Sequence, residues 1–113
     1  MITVYHNTRC KKSREGLEVV KDSGKDYRVR EYLKVPLTEE ELSALIDKMN
    51  ISPIQLVRKN EKAWKENYKE IDLSDRELIS VMVKNPKLIE RPIVENDRKA
   101  VIGRPASDIE EVL

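Results

Sequence analysis

The stretch from Tyr5 to Arg14, YHNTRCKKSR, holds the only cysteine and the only histidine of the chain. Cys10 is flanked by four basic residues, Arg9, Lys11, Lys12 and Arg14, and no acid follows until Glu15. Nearby cations and a helix N-terminus both lower the pKa of a thiol and make it reactive at neutral pH. Lys11 to about Ser23 places Leu17, Val19 and Val20 among charges, a helical pattern that Gly24 can stop. Cys10 is therefore expected at a helix start, where unpaired N–H groups and a partial positive charge favour an anion. The same N–H groups bind a tetrahedral oxyanion. One site could hold an oxyanion and attack it. The competing reading, an inert packed cysteine, sits poorly with charges on both sides.

Position 13 is serine, so the motif is Cys-x-x-Ser and holds no resolving thiol. Turnover through Cys10 then needs an external thiol such as glutathione or another redox protein. Ser13 is either a donor to the thiolate or a solvated residue of the first turn. His6 is either a general acid–base group, adding positive charge if protonated, or a polar residue at a strand end. Phosphatase-type cysteine chemistry expects an arginine six residues after the cysteine, but position 16 is glycine. Three further arginines, Arg58, Arg91 and Arg104, suit two-pronged binding of an oxyanion. Nine arginines are scattered along the chain, so each taken singly also reads as a surface residue. Arg91 and Arg104 precede prolines, which restrict the backbone before them, and Pro92 is a candidate cis proline.

The elements that must position these residues follow from periodicity. ITVY (2–5) reads as a β-branched strand, and DYRVREY (26–32), with Tyr27 and Val29 alternating with Arg28 and Arg30, as a second. The opening is a βαβ unit. Thr38 and Glu41 form a capping box before the stripe Leu42, Leu45, Ile46, Met49. Ser52-Pro53 opens a short helix. Ser74 or Asp75 caps a helix bearing Leu78, Ile79, Met82 and Val83, ended by Asn85-Pro86. RPIVE and KAVIG read as a hairpin about Asn96-Asp97, and a closing helix is expected with Ser107 as its cap and Glu110 at its third position. The order βαβ, helical block (about 37–88), ββα predicts one α/β domain over residues 1–113, a thioredoxin-like fold with a central helical insertion.

The chain has 113 residues, 38% of them charged, yet 22 basic residues oppose 21 acidic ones for a net charge of +1. That balance argues against general nucleic-acid binding, which needs a basic excess. No apolar run approaches the ~20 residues of a membrane span, and the N-terminus lacks the pattern of a signal peptide. With a single cysteine, these features point to a reducing cytoplasm.

In combination, YHNTRCKKSR, LVRKN, NPKLIERPIV and GRPASD resemble, in order and spacing, the motifs of the glutaredoxin-linked arsenate reductases (the ArsC family). The resemblance implies that Cys10 is the nucleophile and that Arg58, Arg91 and Arg104 hold arsenate and its reduced product. It implies that His6 and Ser13 lower the thiol pKa. It further implies glutathione as co-substrate, glutaredoxin as the recycling partner, no bound cofactor or metal, and a monomer. Two departures stand out. Many members carry Gly-Thr after the cysteine where this chain has Lys11-Lys12, and the chain stops soon after its last arginine. A second branch of the fold, regulators that bind the RNA polymerase α-subunit, often has Cys-x-x-Cys and lacks the third arginine. Ser13 and Arg104 favour the enzyme branch. A glutathione-dependent thiol oxidoreductase acting on another substrate remains open.

Overall fold

The computed structural model describes residues 1–113. Four strands, β1 (Ile2–Tyr5), β2 (Tyr27–Arg30), β3 (Ile93–Glu95) and β4 (Ala100–Ile102), form one mixed sheet in the order β2-β1-β3-β4. β1 pairs in parallel with β2, Ile2 opposite Tyr27, and antiparallel with β3, Val4 opposite Val94. The crossover from β1 to β2 is helix α1 (Lys11–Asp22), as a parallel pair requires. β3 and β4 form the expected hairpin. Asn96 closes its turn, its side-chain oxygen accepting from the N–H groups of Arg98 and Lys99 at 2.8 and 2.7 Å, the local bonding for which Asn is favoured in turns. This is the thioredoxin-like arrangement.

The chain divides into two compact units, Met1–Val35 with Arg91–Leu113, and Pro36–Glu90. The first unit contains the sheet, α1 and a closing 3-10 helix (Ala106–Val112). Its core joins Ile2, Val4 and Val94 of the sheet to Val20 of α1 and to Ile109 and Val112. Val20 is fully buried, and a buried side chain of that size contributes about 1.5–3 kcal/mol. The buried face of α1 is Ser13, Gly16 and Val20, so two small residues that carry no hydrophobic signal lie inward alongside the valine. Gly24 has φ of 74°, the left-handed backbone that a glycine supplies after a helix. Val29 is exposed on β2, an edge strand. One expectation changes here. The closing segment is a 3-10 helix whose N-cap is Pro105, not Ser107, and no side chain caps it.

The second unit holds the helical block. Thr38 and Glu41 form a full capping box on α2 (Glu39–Met49), and Ser74 with Glu77 forms another on α4 (Asp75–Lys84). The buried residues of these helices are Leu42, Leu45 and Ile46, and Leu78 and Met82. Pro53–Leu56 is a 3-10 turn, and α3 (Lys62–Asn67) is a short helix that the sequence did not signal, since only Trp64 of it is buried. The stretches around Val57 and Ile89 pair through an isolated antiparallel bridge, with Arg58 N–H donating to the Leu88 carbonyl at 2.8 Å and Glu90 N–H to the Leu56 carbonyl at 2.8 Å. No helix is long and apolar enough to cross a membrane.

Candidate active site

Cys10 lies at the N-cap of α1, with extended backbone angles (φ −93°, ψ 121°). The turn from β1 reaches it in four residues. Cys10 N–H donates to the Asn7 carbonyl at 3.1 Å, and the Cys10 carbonyl accepts the first helical hydrogen bond, from Arg14 N–H at 3.0 Å. No acid occupies the first turn of α1, and the sulfur forms no close capping bond.

The thiol is partly exposed, and its pKa is lowered. Burial, the largest single influence, raises it. It is outweighed by the Ser13 N–H, by the hydrogen bond and charge of Arg91, and by the Lys12 N–H. Arg91 Nε donates to Cys10 Sγ at 3.2 Å across 81 residues of sequence. The N–H groups of the helix start act in the expected direction, and the cation bonded to the sulfur is Arg91 rather than one of the four neighbours. Arg14 Nη1 donates to the Thr8 carbonyl at 2.9 Å, and Lys12 stands 3.8 Å from Glu15.

Ser13 also acts differently from the hydroxyl donor envisaged. Its side chain is fully buried. Its Oγ accepts from Asn7 N–H at 3.0 Å and is hydrogen-bonded to His6 Nδ1 at 2.7 Å. The hydroxyl thus ties the first turn of α1 to the end of β1, while the backbone N–H of the same residue helps to lower the thiol pKa. His6 is buried and its pKa is lowered, by burial first and then by Arg14 and Lys21, against an opposing pull from Glu31. It stays neutral near pH 7, so it adds no positive charge to the site. Its role here is that of a buried hydrogen-bonding partner.

Arg91 reaches the thiol because Pro92 packs on α1. A Cβ placed on Gly16 would stand 2.6 Å from the Pro92 ring and 3.1 Å from Ile109, so the absence of a side chain permits this close approach. The Pro92 carbonyl accepts from Gly103 N–H at 2.8 Å, which joins the Arg91–Pro92 segment to the Arg104–Pro105 segment. Both Arg–Pro bonds are cis. Arg104 is exposed and lines a groove of about 430 Å3 with Lys12, Glu15, Gly103, Pro105 and Ala106. Arg58 belongs to the second unit, where its Nη1 donates to the Lys87 carbonyl at 3.0 Å and stands 3.4 Å from Glu61. The structure thus brings Arg91 to the Cys10 thiol and ties Ser13, one turn on, to His6, with Arg104 on the groove that Lys12 also lines. Sequence reading missed Asn7 and Gly16. Asn7 acts through its backbone, and Gly16 through the lack of a side chain, so neither carries a side-chain signal. No group of three His, Cys, Asp or Glu side chains is placed to hold a metal ion.

A family model described as the ArsC family matches residues 5–112. The chain belongs to the ArsC family. Among its relatives is the uncharacterized protein YfgD of Escherichia coli K12, 41% identical over 99% of this chain and 96% of its own. Another is the arsenate reductase of the same organism, 39% identical over 99% of this chain and 80% of its own. The solved structure of an arsenate reductase from Vibrio cholerae superimposes with a TM-score of 0.93 at 37% identity, covering 99% of this chain and 97% of that one.

Proposed function

We propose that this ArsC protein is an oxidoreductase that reduces arsenate to arsenite with electrons from two thiols, its own Cys10 and glutathione. The observation that carries the reading is the 3.2 Å contact of Arg91 Nε with Cys10 Sγ at the start of α1. It pairs a thiol of lowered pKa with a cation suited to an oxyanion. The Cys10 thiolate attacks arsenic, and a hydroxide of arsenate, protonated, leaves as water. Glutathione then attacks the Cys10 sulfur of the adduct. The sulfur–arsenic bond breaks, its electron pair stays on arsenic, and arsenite departs with a mixed disulfide left on Cys10. Glutaredoxin with further glutathione restores the thiol. Arg91 and Arg104 are assigned to the charge of arsenate and arsenite. The lack of a second cysteine fits this scheme, because each disulfide must then form with a molecule from outside.

The test is arsenate-dependent NADPH oxidation in the presence of glutathione, glutaredoxin and glutathione reductase. Turnover that requires arsenate, glutathione and Cys10 supports the proposal. A protein that forms the glutathione adduct at Cys10 yet turns over no arsenate is a thiol oxidoreductase of another substrate.

A further inference from the structure

The chain has three glycines. Only Gly24 has a positive φ, so the backbone angles of Gly16 and Gly103 do not call for glycine. A glycine inside a helix also weakens it relative to alanine, which makes Gly16 of α1 costly unless space requires it. What Gly16 and Gly103 share is a pair of neighbours. A Cβ on Gly103 would stand 2.8 and 2.9 Å from Cδ1 and Cγ1 of Ile109 and 3.1 Å from Cγ of Pro92. The Cβ missing from Gly16 would meet the same two side chains. Such separations lie well inside the 3.5–4.0 Å at which carbon atoms attract. Pro92 and Ile109 are both fully buried, so neither has solvent to move into.

Helix α1 and the residue that follows β4 thus both leave out a side chain around one ring, and Ile109 of the closing 3-10 helix fills the space between. Gly103 N–H also donates to the Pro92 carbonyl at 2.8 Å, which holds the same residue through its backbone. The residue before the ring is Arg91, whose Nε donates to Cys10 Sγ. We infer that Gly16, Gly103 and Ile109 form a seat for the Pro92 ring that sets the aim of the Arg91 guanidinium at Cys10. Gly103 and Ile109 are then positioning residues, acting on the thiol through Pro92 and Arg91. A close-packed interior transmits a displacement rather than absorbing it, and a hydrogen bond weakens steeply as its angle closes. The inference rests on the reading of Cys10 and Arg91 as the reacting pair, and it deepens that reading by naming what holds the pair in register.

Alkylation of Cys10 by iodoacetamide, followed against pH, reads the aim of Arg91 through the inflection of the thiol. Gly103→Ala should move the inflection upward, making the thiolate about two- to tenfold scarcer below it, and no further than Arg91→Ala does. Ile109→Val, which only deletes a methyl group from the seat, should move it the same way by less. Combined, the two should move it less than Gly103→Ala alone, because valine lacks the atom nearest the added Cβ. In an Arg91→Ala background neither substitution should move it further, as expected for residues that act through that arginine. Val112→Ala, in the same closing helix and the same core, should lower the melting temperature and leave the inflection in place. A shift with Val112→Ala equal to that with Gly103→Ala, or shifts that persist in the Arg91→Ala background, overturn the seat. If Gly103→Ala does not fold, Ile109→Val with and without Arg91 decides the question by the same criteria. If Arg91→Ala moves the inflection and the seat substitutions do not, the seat alone is overturned. If Arg91→Ala does not move it, the pairing of Arg91 with Cys10 itself fails, and the seat falls with it.

Discussion

Helices α1 and α2 begin in opposite ways. At α2 the Thr38 hydroxyl accepts from Glu41 N–H at 3.1 Å and the Glu41 carboxylate accepts from Thr38 N–H at 3.0 Å, with three glutamates in the first turn. Its start is closed by its own side chains. At α1 the N-cap is Cys10, the first turn holds no acid, and the N–H groups of Ser13 and Lys12 act on the sulfur. The same unpaired donors occur at both ends. One helix uses them for stability and the other keeps them for an anion.

The strongest way to break this contrast is to give α1 an ordinary cap. Cys10→Ser should lower arsenate turnover on the order of 10³-fold or more, because the nucleophile is gone. It should also stabilise the fold by about 0.5–2 kcal/mol, since serine caps where the thiol does not. Activity assay and thermal unfolding of the one variant check both signs, and a loss of stability would deny that α1 gives up a cap.

Arg91→Ala is next in size. Loss of a hydrogen bond to a charged group removes roughly 1.5–3 kcal/mol, so the thiolate should be about ten- to a hundredfold scarcer below its pKa. Alkylation by iodoacetamide followed against pH should show the inflection move upward, with Arg91→Lys intermediate. An unmoved inflection would mean that the backbone of α1 suffices.

Thr38→Ala sharpens the other side. It should cost α2 about 1 kcal/mol and leave Cys10 alkylation unchanged.

His6 supplies a pH test. Its folded pKa lies below the ordinary 6.5 because burial disfavours the cation. The unfolded chain therefore binds the proton first. Stability is full above pH 6.5 and is lost as pH falls from 6.5 through the folded pKa, at a slope of up to about 1.4 kcal/mol per pH unit. Denaturant titrations from pH 7.5 to 5 should show that slope in the parent and not in His6→Gln.

The smallest effect is expected from the charges that first draw the eye. Arg9→Ala with Lys11→Ala should change the alkylation rate at pH 7 by less than about twofold, as expected for exposed and screened charges. A large shift would restore the local cations to the account of the thiol.

Much of the molecule follows from local pattern. β1 needs only four residues of buried β-branched and aromatic type, and the capping boxes at Thr38 and Ser74 are complete within four residues of chain. The position of Cys10 at a helix start is legible for the same reason: it depends on the residues next to it. α3 was not legible, because six residues with one buried side chain carry too little periodicity.

The chemistry of the thiol divides along the same line. The sequence determined that a lone cysteine would meet unpaired N–H groups and that no second thiol could resolve a disulfide. Only the tertiary structure decided which cation meets the sulfur. Four cations lie within four residues of Cys10, yet the one that bonds to it is 81 residues away. The physical reason is direction. Side chains near Cys10 in sequence point out from the first turn of α1 or turn back on the loop, as Arg14 does toward Thr8. The Arg91 side chain is brought to the sulfur by a proline ring seated against Gly16. Charge density can be counted along a chain, but the aim of a guanidinium is set by packing between segments that the chain order keeps apart.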